Sequence, residues 1–226
     1  MSIIKPHTIP YAFQPIFMTK GKDCENIFGY EALARPVGFE NPGEYIKSMT
    51  RAKKLHKLEF ETFYNALHQF NERGLEGNLF INSFPYEYLT DDEFEFIRSV
   101  SPDHFKNIYV ESLEYGSRVD ILRLAVKLDV IRKNGFHLVV DDFGTGINSI
   151  RTLNVLHPDI IKIDRSYISG CTASQKDMNT VEIITDCIRS HGAKALAEGV
   201  ETEDEYSFLS HLGIDYMQGY YLGVPK

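Results

Sequence analysis

Short apolar runs rich in β-branched and aromatic residues alternate along this chain with longer stretches of helical spacing. The first two runs are Tyr11–Phe17 and Ile27–Leu33. Only a polar turn, Thr19-Lys20-Gly21-Lys22-Asp23, and a few residues separate them. That gap is too short for a crossover helix and predicts an antiparallel hairpin. Over 41–74, Leu55, Leu58, Phe63, Leu67 and Phe70 recur at helical spacing, with room for two helices. A regular alternation follows, with strands predicted at Leu79–Asn82, Ile108–Glu111, His137–Asp141, Ile160–Ile163, Ala193–Ala197 and Asp215–Met217. The intervening segments carry helix-start signals. Thr90-Asp91-Asp92-Glu93 and Thr202-Glu203-Asp204-Glu205 read as capping boxes, and Ser117-Arg118-Val119-Asp120 resembles one. Lys133-Asn134-Gly135 and Ser190-His191-Gly192 supply stops.

Eight strands, most followed by a helix, predict an α/β fold with a parallel sheet covered by helices. The expected architecture is a TIM-like (β/α)8 barrel with the first strand antiparallel to the rest. An open doubly wound sheet competes, but its G-x-G-x-x-G phosphate fingerprint is missing. The 226 residues suit one domain over 1–226. With 13 Tyr and 15 Phe the chain carries too much apolar surface for disorder. Lys+Arg number 24 against 32 Asp+Glu, a formal charge of −8 that argues against wrapping DNA or RNA but not against a small phosphorylated ligand. Cys24, Cys171 and Cys187 form no C-x-x-C pair and read as reduced thiols. The first residues lack a signal-peptide layout, and no apolar run approaches the ~20 residues of a membrane helix. A cytoplasmic protein is therefore expected, away from membranes unless a partner recruits it.

In a barrel of this type, functional groups stand at the C-terminal ends of the strands. There the chain presents Glu31 to Arg35, Asn82, Glu111 with Glu114 three residues on, Asp141-Asp142, Lys162 and Asp164, Glu198, and Gln218. Singly, each acid could be an N-cap or a solvated loop residue, and Asp141-Asp142 before Phe143-Gly144-Thr145-Gly146 suits a turn. Those local readings do not explain the recurrence at six strand ends. Lys162 and Asp164 share a strand face by period two, and in a helix-covered barrel that face needs partners. Converging carboxylates call for a cation, and oxygen donors suit Mg²⁺ or Mn²⁺ rather than zinc. No H-E-x-x-H or H-x-H occurs, and His137 reads as a strand core residue. Asp141 and Asp142 could serve two ions ~3.5–4 Å apart, an arrangement suited to phosphoester hydrolysis. The G-x-S-x-G elbow and the P-loop are absent, and Asp142-Phe143-Gly144 lacks the other kinase elements. From the residues alone the expectation is metal-assisted hydrolysis of a phosphoester.

These strand ends resemble a known family, the EAL-domain cyclic di-GMP phosphodiesterases. Glu31-Ala32-Leu33 is its three-residue signature, and Phe13-Gln14-Pro15-Ile16 is similar to its opening Y-Q-P-I. Phe80-Ile81-Asn82, Glu111-x-x-Glu114, Asp141-Asp142-Phe143-Gly144-Thr145-Gly146 and Ile161-Lys162-Ile163-Asp164-Arg165-Ser166 match its later motifs in order. Ala197-Glu198-Gly199-Val200-Glu201-Thr202 and Gln218-Gly219-Tyr220 complete the series. The resemblance runs from about Tyr11 to Pro225.

It implies hydrolysis of cyclic di-GMP to linear pGpG with two Mg²⁺ or Mn²⁺ ions, Ca²⁺ being inhibitory. Glu31, Asn82, Glu111 and Asp141 would hold one ion. Asp141 would bridge to the second, shared with Asp142 and Glu198 directly or through water. Lys162 would orient the attacking water or offset phosphate charge, and Glu198 is the general-base candidate. Gln14, Leu33, Arg35, Asp164 and Gln218 would contact the dinucleotide, and Glu114 and Glu201 would support the ligands. In the family, the loop Phe143–Ser149, pinned by Glu114, couples the site to dimerisation, so a homodimer is implied; expression, a regulatory protein partner or oligomerisation are the routes of control left open. Strand three continues Asn82-Ser83-Phe84 where the family usually reads N-L-S, and the loop reads Ile147-Asn148-Ser149 rather than Y-S-S. A non-catalytic cyclic di-GMP receptor and a protein-binding scaffold are the alternative functions.

Overall fold

The computed structural model describes residues 8–19, 26–112, 121–143, 153–154 and 156–226. Eight strands close a barrel in chain order: β1 (Tyr11–Met18), β2 (Ile27–Ala34), β3 (Asn78–Ser83), β4 (Ile108–Ser112), β5 (His137–Phe143), β6 (Ile160–Ile163), β7 (Lys194–Ala197) and β8 (Tyr216–Met217). β1 runs antiparallel to both β2 and β8, and every other pair is parallel. The expected barrel with one reversed strand is the observed one. The hairpin's turn and the 117–120 capping signal lie outside the described residues.

The helices are α1 (Pro42–Arg51), α2 (Leu55–Glu72), α3 (Asp91–Val100), α4 (Ile121–Lys133), α5 (Arg165–Ile168), α6 (Gln175–Ser190) and α7 (Glu203–Leu212). Thr90 and Thr202 form reciprocal capping boxes with Glu93 and Glu205 at the starts of α3 and α7, satisfying N–H groups a helix end leaves free. The outward strand faces and the inner helix faces merge into one large core that includes Phe63, Phe70, Ile81, Val110, Leu138, Ile161 and Ile188.

Inside the barrel lies a separate, smaller apolar layer of Ile16, Phe80, Val139, Ile160 and Leu196, with Phe28, Tyr109 and Tyr216 packed against it. Phe28 stacks on Tyr216 (4.2 Å between centroids) and Phe80 on Tyr109 (4.7 Å), closing the bore toward the N-terminal end of the parallel strands. His137 corrects a sequence expectation. It stands at the entry end of β5 with its side chain 42% exposed, its ring stacked on Tyr109, rather than in the core.

Candidate active site

Side chains alternate across a strand, so the inward position after each member of the apolar layer is two residues on. Those positions are Gln14 (reading β1 backward), Asn82, Glu111, Asp141, Lys162, Glu198 and Gln218, and Glu31 is level with Gln14 across the β1–β2 ladder. Each strand thus contributes one polar residue to a ring at the barrel mouth. Glu198 and Gln218 follow the last paired residues of β7 and β8 and are held there by Glu198 N–H donating to Ile163 O and Gln218 N–H to Ala197 O. Gly199, at φ +68°, then turns the chain away in a conformation that a side chain would strain.

Lys162 is the hub of this ring. Its Nζ lies 2.8 Å from Glu198 Oε1, 3.0 Å from Glu111 Oε1, 3.4 Å from Asp141 Oδ1 and 3.5 Å from Glu31 Oε2, and its side chain is 1% exposed. Burial alone would push the ammonium's pKa down, but the four carboxylates together hold it well above the usual lysine range. Glu31 also accepts from Gln218 Nε2 at 2.6 Å and from Asn82 Nδ2 at 3.3 Å. These donors and Lys162 outweigh its burial and hold its carboxyl below the ordinary value.

The other acids are pushed the opposite way. Burial, then repulsion from Glu31, raises Glu111 well above the usual range. Glu198 is pushed up to about 8 by burial against the pull of Lys162, with Asp141 and Glu31 adding to the rise. Asp142 goes up to about 6 through burial and the charges of Asp141 and Asp164.

The residues present fit a hard divalent cation. One lysine faces four carboxylates, so the ring carries uncompensated negative charge when all are ionised. Glu111 is fully buried, and apart from the Lys162 ammonium at 3.0 Å its carboxylate meets no amide, hydroxyl or backbone donor among the described residues; Gln218 Oε1 likewise has no hydrogen-bond partner among them. Such groups are costly unless something fills the role. Asp141, Asp142 and Glu198 each place one oxygen within 4.8 Å of the others, an all-oxygen donor set of the kind Mg²⁺ and Mn²⁺ take. Asp142 reaches its place at φ +52°, a backbone conformation rare for a residue with a side chain.

A family model described as EAL domain matches residues 4–225. The chain belongs to the EAL domain family. It is 35% identical over 102 residues to the probable cyclic di-GMP phosphodiesterase PdeG of Escherichia coli K12, a stretch covering 45% of this chain and 20% of PdeG. The matched stretch is thus a fifth of that relative's length. A standalone versatile EAL protein from Vibrio cholerae O395, solved in its c-di-GMP-bound form, superposes with a TM-score of 0.82 at 26% identity, covering 94% of this chain and 90% of that one. BlrP1 of Klebsiella pneumoniae, solved as a manganese/cy-diGMP complex, shares the fold with a TM-score of 0.82 at 23% identity, over 98% of this chain and 57% of that one.

The remaining residues singled out in the sequence fall around this EAL ring. Leu33 and Arg35 line a cavity of about 280 Å³ that also meets Glu31 and Asn82. Gln14 is buried, donating to Gly223 O at 3.1 Å and accepting from Gln218 Nε2. Asp164 lies just past β6 and caps α5, accepting from Ser166 N–H at 2.9 Å, so the local capping reading describes part of what it does. Glu201 pairs with Arg165 at 2.7 Å. Glu114 and the loop beyond Phe143 lie outside the described residues. Sequence reasoning missed a second buried polar cluster, Glu59 with Lys127, although a lysine inside the apolar run Leu124-Ala125-Val126-Lys127-Leu128 was a visible signal.

Proposed function

We propose that this chain hydrolyses one phosphodiester bond of cyclic di-GMP to linear pGpG, as a single EAL-type domain over 1–226 acting in the cytoplasm as a homodimer. The observation that carries the reading is the ring itself, four carboxylates, the fully buried Glu111 among them, gathered around one buried lysine that cannot neutralise them all. Relatives named as cyclic di-GMP phosphodiesterases, and a family structure with that dinucleotide bound, support the substrate.

In this reading Glu31, Asn82, Glu111 and Asp141 would hold one Mg²⁺ or Mn²⁺, and Asp142 and Glu198, with Asp141, would hold a second. When bound, such cations polarise a phosphoryl oxygen and acidify water. The chain's own groups do the rest. Glu198, at the more open edge of the ring, accepts the proton of the attacking water. Lys162 offsets charge accumulating on the phosphate, and Arg35 offers a planar fork to a phosphate oxygen pair. Gln14, Leu33, Asp164 and Gln218 orient the dinucleotide, while Glu114 and Glu201 steady the loops that carry the ligands. A regulatory protein partner is part of the same reading.

The test is chromatography of cyclic di-GMP incubated with purified chain in Mg²⁺, in Mn²⁺ and in chelator. The expected result is pGpG with either metal and none in chelator. Binding of the dinucleotide without pGpG in either metal would overturn the reading in favour of a receptor.

A further inference from the structure

On the outer face of β3 lies a polar cluster that the proposed chemistry does not use. The alternation that turns Asn82 into the ring turns Ser83 outward, where it is fully buried beneath α2 and α4. Glu59 of α2 and Lys127 of α4 meet there at 2.9 Å, their side chains 1% and 4% exposed. Glu59 accepts from Ser83 Oγ at 2.5 Å and from Phe84 N–H at 3.0 Å. Lys127 donates to Ser83 Oγ at 2.6 Å and to Phe84 O. One carboxylate and one ammonium therefore fix the Ser83 hydroxyl and both backbone polar groups of Phe84, within two residues of Asn82.

Stability alone does not call for this pair. Leu58, Phe60, Phe63, Leu128 and Ile131 are buried on the same two helices, and apolar side chains often replace a buried ion pair without loss. What the charges add is direction, because Phe84 N–H takes its acceptor from Glu59, and Phe84 O, which Glu87 N–H also reaches at 3.3 Å, takes a second donor from Lys127 at a fixed place. α4 belongs to the next βα unit, whose strand β4 pairs Glu111 with Asn82. The pair therefore ties the end of β3 to the element that follows its neighbour.

We infer that Glu59 and Lys127 are a positioning pair, fixing the path of the chain at Ser83–Phe84 so that the Asn82 amide stays aimed into the cation site. The inference rests on the proposed role of Asn82 as a ligand. Groups hydrogen-bonded directly to a metal ligand typically alter affinity by roughly 10–100-fold when lost, and this pair, which acts through the backbone next to Asn82, should fall at the lower end of that range.

The test compares the full chain with Glu59→Gln, with the pair Glu59→Gln/Lys127→Met, and with Leu128→Ala. Leu128 is the next residue on α4, is buried, and loses packing but no polar contact on truncation. Mn²⁺ affinity by calorimetry, the ¹⁵N side-chain amide signal of Asn82 in metal-free protein, and the split of kcat from KM are read for each, alongside Tm. Both charge variants should bind Mn²⁺ at least about tenfold more weakly. They should also shift the Asn82 amide signal and lose kcat with KM for cyclic di-GMP retained. Leu128→Ala should lower Tm without moving the other three. The paired variant leaves no charge unpaired and keeps the question open to measurement if Glu59→Gln alone fails to fold. Wild-type affinity and amide position in the charge variants, or equal losses in Leu128→Ala, would overturn the inference. A wild type that binds Mn²⁺ yet makes no pGpG refutes the phosphodiesterase reading alone, since affinity and amide shift still decide the positioning role. A wild type that binds no Mn²⁺ overturns both.

Discussion

Replacing Glu198 by glutamine should make the metal-free protein more stable at pH 8 while abolishing the proposed hydrolysis. The Glu198 carboxyl is pushed up to about 8 chiefly by burial, from an ordinary value of 4.5. Because its folded pKa lies above its unfolded one, the native state holds the extra proton between those two values. Stability therefore falls as pH rises through that window, and is not regained above it. Glutamine mimics the protonated carboxyl at every pH. At about 1.4 kcal/mol per pKa unit, the shift sets a gain of at most about 4 kcal/mol for the variant by pH 8. For a domain of this size that corresponds to up to roughly 8–16 °C in Tm. Glu111, raised in the same direction, leaves part of the slope in both proteins, so the difference between them isolates Glu198. Thermal melts followed by circular dichroism in EDTA from pH 5 to 8.5 provide the assay. Near-equal Tm values at pH 5 and a growing advantage for Glu198→Gln toward pH 8 are expected. Added Mn²⁺ should reverse the order at pH 8, since the cation binds only deprotonated ligands and stabilises the state that holds it. A Tm difference that does not change with pH, or a wild type more stable than the variant at pH 8 in EDTA, would show that burial does not raise the pKa of the Glu198 carboxyl.

Lys162→Met removes the only ammonium within 4 Å of Glu31, Glu111, Asp141 and Glu198 among the described residues. The expected cost in EDTA is about 3–5 kcal/mol, partly recovered with Mn²⁺; an unchanged melt would contradict the hub role. Ca²⁺ should fail to support pGpG formation and should inhibit the Mn²⁺-loaded enzyme, because its looser shell suits a site for octahedral ions poorly; full turnover in Ca²⁺ alone would contradict this. Gly219→Ala should destabilise by about 1–3 kcal/mol in a thermal melt. A Cβ there would sit 2.1 Å from Val200 O, backbone with little room to retreat, and an unaltered Tm would show that the close approach is dispensable.

The strands were legible because a closed barrel buries both faces, which turns each strand into a short, nearly continuous apolar run that ends abruptly in a polar residue. Ile160-Ile161-Lys162-Ile163 is the clearest case, with all four residues buried. The same abruptness exposed much of the ring, since Asn82, Glu111, Asp141, Glu198 and Gln218 visibly follow their runs, whereas Gln14, Glu31 and Lys162 interrupt theirs. Its internal arrangement was not visible. Nothing local says that Lys162 touches four carboxylates from four other strands, or that Gln218 spends its amide on Glu31, because those contacts join residues up to 187 positions apart. His137 was misjudged because a strand's exact boundary decides whether its end residue packs in the core or faces water. Glu59 and Lys127 went unnoticed because helical periodicity marks a buried face without saying which polar residue on it finds a partner.

On the proposed function, the carboxylate ring is a divalent-cation site that hydrolyses cyclic di-GMP. Its most direct test is pGpG formation measured against Mn²⁺ bound per chain, for wild type and for Glu111→Gln. Turnover that rises with bound Mn²⁺ in the wild type and is lost with the bound metal in Glu111→Gln is the predicted result. Turnover without bound metal, or undiminished in Glu111→Gln, would contradict it.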